Sequence, residues 1–213
     1  MVCTANPHLD TETVRAGDPD AAVAAVLVHG RDQDPEFMLD VARRIALDEV
    51  AYVLPTAAQR SWYPGRFRDP PGDNEPWLGW SLDAIEAAVN AAHRPPHRIA
   101  LVGFSQGACI LAEYLAQRPQ RYGAAAILTG VLFGEPDRER IPAGALDGLP
   151  MFFGIAHGDD WIPVAAVRDS VAAFEHAGAR CDLRVYGPEE HGVNDDEVGA
   201  VRALLTDLLE RET

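Results

Sequence analysis

The stretch Ile99-Ala-Leu-Val-Gly103-Phe104-Ser105-Gln106-Gly107-Ala-Cys-Ile-Leu-Ala-Glu-Tyr-Leu-Ala116 decides the fold. It opens on a short apolar run, as a strand buried on both faces requires, and closes on apolar residues at helical spacing. Between them Gly103-Phe-Ser-Gln-Gly107 reads as a G-x-S-x-G turn from strand to helix. Small residues at 103 and 107 let strand and helix approach closely while the Ser105 hydroxyl projects from the sheet edge. The helix N-terminus favours developing negative charge there. A serine before a helix is often only an N-cap, so the strand-turn-helix context, rather than the pentapeptide, makes Ser105 a candidate nucleophile.

Outward from the elbow the same grammar repeats. Val/Ile/Leu-rich runs at residues 22–28, 50–54, 98–103, 124–129, 150–155 and 182–186 predict buried strands, with a weaker candidate before Gly17. Helical periodicity falls at residues 36–47, 77–92, 106–117, 164–176 and 195–209. Strand and helix alternate, which predicts an α/β fold: a mostly parallel sheet of six to seven strands flanked by helices, with ligands at the carboxyl ends of the strands. Residues 55–76 and 132–149 break the alternation with Pro and Gly and read as loops. A length of 213 residues fits one domain over residues 1–213 with no cap domain, so an open cleft is expected.

Composition narrows the function. Thirty-three acidic residues face 18 basic ones, all arginine, for a formal net charge of -15. Such a chain is repelled by nucleic-acid phosphate and anionic lipid, so DNA binding is not expected. The acid excess predicts adaptation to salt; an arginine-for-lysine bias from a GC-rich genome would explain the missing lysine but not the excess of acid. No apolar run approaches the length of a membrane span, and residues 1–20 lack the pattern of a signal peptide. Cys3, Cys109 and Cys181 are an odd, scattered set without a CxxC pair, which suggests neither a disulfide framework nor a zinc ribbon and fits a reducing cytoplasm.

A serine hydroxyl needs a base and an orienting carboxylate. Of seven histidines, His191 follows the last strand, His157 the one before it, and His29 ends the run at 22–28. In this type of fold the nucleophile precedes the acid and the acid precedes the histidine. His191 as base leaves the acid between 105 and 191, where His157-Gly-Asp-Asp160 supplies Asp159 and Asp160.

The chain resembles the phospholipase/carboxylesterase family of α/β-hydrolases, which includes acyl-protein thioesterases. The likeness spans nearly the whole chain and is carried by Leu27-Val-His-Gly-Arg31, Ser61-Trp-Tyr-Pro64, Asn74-Glu-Pro-Trp77, the GFSQG elbow, Ile162-Pro163 and His191-Gly-Val-Asn194. It implies a lidless, cofactor-free and metal-free serine esterase with Ser105 as nucleophile and His191 as base. The family's acid turn reads D-x-x-[VI]-P, and counting back four from Pro163 gives Asp159. The H-G-x-x-D pattern would instead land on Trp161, so the turn departs from that spacing. For the oxyanion the elbow supplies the Gln106 amide, and the resemblance assigns a second amide to Arg31, whose side chain is expected to be incidental.

Trp62, Tyr63, Phe67 and Trp77 put four rings in or beside a Pro/Gly-rich loop. They could line an acyl or alcohol pocket or simply pin the loop to the body; Trp62, Tyr63, Trp77 and Trp161 are taken as substrate-binding candidates. Cys109 is expected to be a small core residue. The reading is thus a carboxylesterase for short to medium acyl chains. Its rivals are a thioesterase or lysophospholipase on the same triad, a catalytically silent binding protein, and a metal-dependent hydrolase using His157, Asp159, Asp160 and His191, whose spacing matches no compact zinc pattern. A small-molecule ester or thioester is the expected partner, and composition leaves a homodimer open as the generic prior.

Overall fold

A computed structural model describes residues 5–134, 137, 139–187 and 191–211. Seven strands form one sheet: β1 (Val14–Gly17), β2 (Val23–Val28), β3 (Val50–Leu54), β4 (Ile99–Phe104), β5 (Ala124–Leu128), β6 (Pro150–Ala156) and β7 (Arg180–Tyr186), in the order β1-β3-β2-β4-β5-β6-β7. All pairings are parallel except β1 with β3. The mostly parallel sheet expected from the alternation is present, and the weak candidate before Gly17 is its antiparallel edge strand.

Five helices cover the sheet: α1 (Pro35–Ile45), α2 (Trp77–Ala91), α3 (Gln106–Gln117), α4 (Val164–His176) and α5 (Asp195–Glu210). Strand alternation sorts the core by face. Ala24, Val26 and Val28 of β2 pack with α2, α3 and α4, while Val23, Ala25 and Leu27 pack with α1 and α5. Because both faces are covered, β2 to β5 are buried along their whole length.

The helix starts are specified locally. Asp34 caps α1 by accepting from the Glu36 amide with Pro35 at the first position, and Asn194 and Glu197 form a capping box at α5. These starts follow the carboxyl ends of strands, so the connecting turns converge on one edge of the sheet. The loop at 55–76 holds two 3₁₀ turns, Ala58–Arg60 and Pro71–Asn74. Among the described residues no cap domain is evident, and no helix is long and apolar enough to cross a membrane. Cys109 is buried and Cys181 half-buried, both free thiols; Cys3 lies outside the described residues.

Candidate active site

β4 ends and α3 begins at Ser105, whose backbone takes φ 53° and ψ -119°. A left-handed φ at a non-glycine residue is strained and persists only where the surroundings enforce it. Here they do. The Ser105 amide donates to the Leu128 carbonyl and the Cys109 amide to that of Ser105. A Cβ on Gly107 would lie 2.3 Å from the Val28 carbonyl oxygen and 2.4 Å from that of His29, and one on Gly103 would lie 2.7 Å from the Gly107 oxygen. Both elbow glycines therefore permit contacts that no other residue could make.

The fold brings three of the candidate side chains together. Nδ1 of His191 lies 2.7 Å from Asp159 Oδ2 and Nε2 lies 2.9 Å from Ser105 Oγ. The Asp159 side chain is 1% exposed, and its other oxygen accepts from the Trp161 and Ile162 amides at 2.9 and 2.8 Å, an Asx-type turn that fixes the carboxylate. Burial pushes its pKa up, but the hydrogen bond with His191 and the two amides outweigh that and hold it below the usual carboxylate value. Asp159 is thus ionised opposite the imidazole. Asp160, the alternative, is exposed at the rim, and His157 is exposed beyond the end of β6. The ring of His191 packs against Phe104 at a centroid distance of 5.1 Å. Arg44 of α1 donates to the Val193 carbonyl and pairs with Asp195, fastening the segment after His191.

The turn after β2 lies against Ser105. A Cβ on Gly30 would meet Ser105 Cβ at 3.2 Å. His29 Nε2 accepts from the Ala57 amide at 3.0 Å, so the ring proton is on Nδ1, which donates to the Gly30 carbonyl at 2.7 Å. Burial lowers the pKa of His29 and keeps the ring neutral. In a trans peptide C=O and N–H point in opposite directions, so holding the Gly30 oxygen also sets the direction of the Arg31 N–H. That amide donates to no acceptor among the described residues. The Gln106 amide, first in α3, has no partner a turn earlier in the helix.

Next to these groups is an open cavity of about 500 Å³, whose lining includes Arg31, Tyr63, Phe67, Ser105, Trp161 and Ile162. Trp161, 68% exposed, stands at its rim. Trp62 and Trp77 do not line it, contrary to expectation. Trp62 is 0% exposed, sits between the rings of His8 and His29 at 5.3 and 5.2 Å, and donates from Nε1 to the His29 carbonyl. Trp77 starts α2 and packs edge-on against His8 and Trp80. A buried indole needs both an apolar bed and an acceptor for its N–H, and the loop's underside supplies them. Cys109 touches the cavity floor, but burial pushes its thiol up to about 11, so it stays protonated.

His8 had no signature in the sequence. Its Nδ1 accepts from the Ala58 amide, and Nε2 faces the Trp62 carbonyl and Ser81 Oγ, anchoring residues 57–62 from a chain segment fifty residues away.

The family model described as Phospholipase/Carboxylesterase matches residues 81–209. A probable carboxylesterase of Oryza sativa subsp. japonica is 25% identical over 116 residues, covering 54% of this chain and 43% of that protein, so the match spans less than half of that relative. The crystal structure of a phospholipase/carboxylesterase from Dyadobacter fermentans superposes with a TM-score of 0.84 at 29% identity, over 92% of this chain and 96% of that one. The sheet order and flanking helices match an α/β-hydrolase fold. SOBER1 of Arabidopsis thaliana, at 17% identity and a TM-score of 0.72 over 88% of this chain and 99% of that one, shares the fold.

Proposed function

The chain belongs to the phospholipase/carboxylesterase family, and from that premise we propose that it is a serine carboxylesterase working through an acyl-serine intermediate. The observation that carries the reading is the unbroken relay from Asp159 Oδ2 through His191 to Ser105 Oγ at 2.7 and 2.9 Å. Ser105 Oγ attacks the ester carbonyl as His191 Nε2 takes its proton, and Asp159 steadies the imidazolium. The tetrahedral oxyanion accepts from the Arg31 and Gln106 amides. Collapse expels the alcohol, protonated by His191, and water repeats the sequence to release the acid. The cavity of about 500 Å³, open to solvent and walled by Tyr63, Phe67 and Trp161, suits short to medium acyl chains. With free thiols at Cys109 and Cys181, a reducing cytoplasm is the proposed setting.

The test is a kcat/KM panel of p-nitrophenyl esters from two to sixteen carbons with an acyl-CoA alongside. Ser105→Ala should lower turnover at least about a thousandfold and abolish labelling by a fluorophosphonate; near-normal turnover in the variant would refute the assignment. Asp159→Asn should collapse kcat where Asp160→Asn leaves it within about threefold, and the reverse result would move the acid. Preference for the acyl-CoA would shift the substrate to thioesters on the same machinery. A silent binding protein would neither turn over nor label.

A further inference from the structure

Both amides assigned to the oxyanion belong to residues whose side chains grip one short segment, residues 61–65. The buried Gln106 carboxamide accepts from the Trp62 amide at 2.9 Å and donates to the Tyr63 carbonyl at 2.7 Å. The Arg31 guanidinium donates to the same Tyr63 carbonyl at 2.8 Å and to those of Pro64 and Gly65, and it lies over the Tyr63 ring at 5.7 Å. Two side chains from separate elements thus meet on a single acceptor. We propose that the Arg31 guanidinium and the Gln106 carboxamide are positioning groups that hold the two oxyanion donors at a fixed separation by clamping residues 61–65. This rests on the esterase reading above.

The chemistry favours clamping over substrate recognition. Both terminal nitrogens of Arg31 are engaged by backbone carbonyls, which leaves the fork aimed at the loop. A lysine ammonium is a point donor and cannot span three carbonyls in that way. The Trp62 amide is buried and must have an acceptor, and Gln106 provides it. The clamp matters because a transition-state donor acts only when already in place, and small displacements of such groups are costly. The Gln106 amide is fixed by α3, whereas the Arg31 amide sits in a turn held by His29 on the Gly30 carbonyl, by Gln33 Oε1 on the Gly30 amide, by the Asp32 amide on the Arg60 carbonyl and by the Arg31 side chain on residues 63–65.

Arg31→Met, Arg31→Lys and Gln106→Glu all keep both backbone amides. Gln106→Glu retains an acceptor for Trp62 but turns a carboxylate oxygen toward the Tyr63 carbonyl. Each variant should lower kcat at least about tenfold, short of the loss from deleting a donor outright, with KM within about twofold. The inhibition constant of a trifluoromethyl ketone should rise by the factor by which kcat/KM falls, and the pH midpoint of kcat/KM should stay put. Arg31→Lys should not rescue. If kcat stays within about twofold in both Arg31 variants and only KM moves, Arg31 is merely cavity wall and the inference is overturned. Should Gln106→Glu fail to fold, the exposed Arg31 decides alone. A wild-type enzyme without Ser105-dependent hydrolysis removes the esterase reading and this inference together; an active wild type with unaffected variants removes only the inference.

Discussion

The elbow at residues 103–107 and the loop at residues 57–65 meet at Gln106, and the chain builds them in opposite ways. The elbow is held through its own backbone and by what its glycines leave out: hydrogen bonds from the Ser105 amide to the Leu128 carbonyl and from the Cys109 amide to the Ser105 carbonyl, and carbonyl atoms of Val28 and His29 where a Cβ of Gly107 would stand. The loop has one 3₁₀ turn, Ala58–Arg60, and is otherwise held largely by polar side chains from elsewhere, among them His8, His29, Arg31, Asn74, Ser81 and Gln106. One region announces its turn in five consecutive residues and meets its distant neighbours through backbone alone, whereas the other is specified only once side chains from the rest of the domain have closed around it.

The hardest blow should fall on the elbow. Gly107→Ala puts a Cβ 2.3 to 2.7 Å from backbone atoms of Val28 and His29, which cannot move aside as a side-chain tip could. We expect a loss of about 3 kcal/mol or more in urea unfolding together with loss of hydrolysis; a variant of native stability would mean strand and helix can separate cheaply. The loop should be softer. Trp62→Phe keeps the apolar bed but leaves the His29 carbonyl without its indole donor, for about 2 kcal/mol in the same measurement, and an unchanged midpoint would show that ring packing alone holds it.

The smallest effect separates the two regions by pH. Burial lowers the pKa of His8 and of His29 from the ordinary 6.5. The unfolded chain therefore binds protons first as pH falls through that value, so stability declines with acidification below about 6.5. Urea midpoints between pH 7.5 and 5.5 should fall in the wild type and fall less steeply in His8→Gln. Equal slopes would remove the buried histidine as the cause.

The same contrast explains what the sequence disclosed. Alternating apolar runs and the G-x-S-x-G turn are local signals, so the parallel sheet and the elbow were legible from 99–116 and its repeats. The D-x-x-[VI]-P turn that the resemblance supplies is local too: the Asx turn onto Trp161 and Ile162 lies inside it, which is why counting back from Pro163 picks the residue that faces His191, where the residues alone left Asp159 and Asp160 open. Trp62 and Trp77 were misplaced because a ring in a loop, or at the helix start that follows it, does not say which side of the loop it takes. That depends on His8 and His29, whose bonds run to residues 28 to 54 positions away. The side chain of Arg31 was discounted for the same reason, since the three carbonyls it binds are about thirty residues downstream.

Arg31 is not alone in binding carbonyls. Arg94 donates to those of Pro19 and Ala21, and Arg202 to those of Arg44 and Ile45. Each guanidinium ties segments distant in the chain together through backbone oxygens rather than through an opposing charge, Arg202 joining α5 to the end of α1. Swapping these residues for lysine would preserve every formal charge while losing the planar fork that reaches two or three carbonyls at once, so a substitution normally regarded as mild would here be a change of architecture.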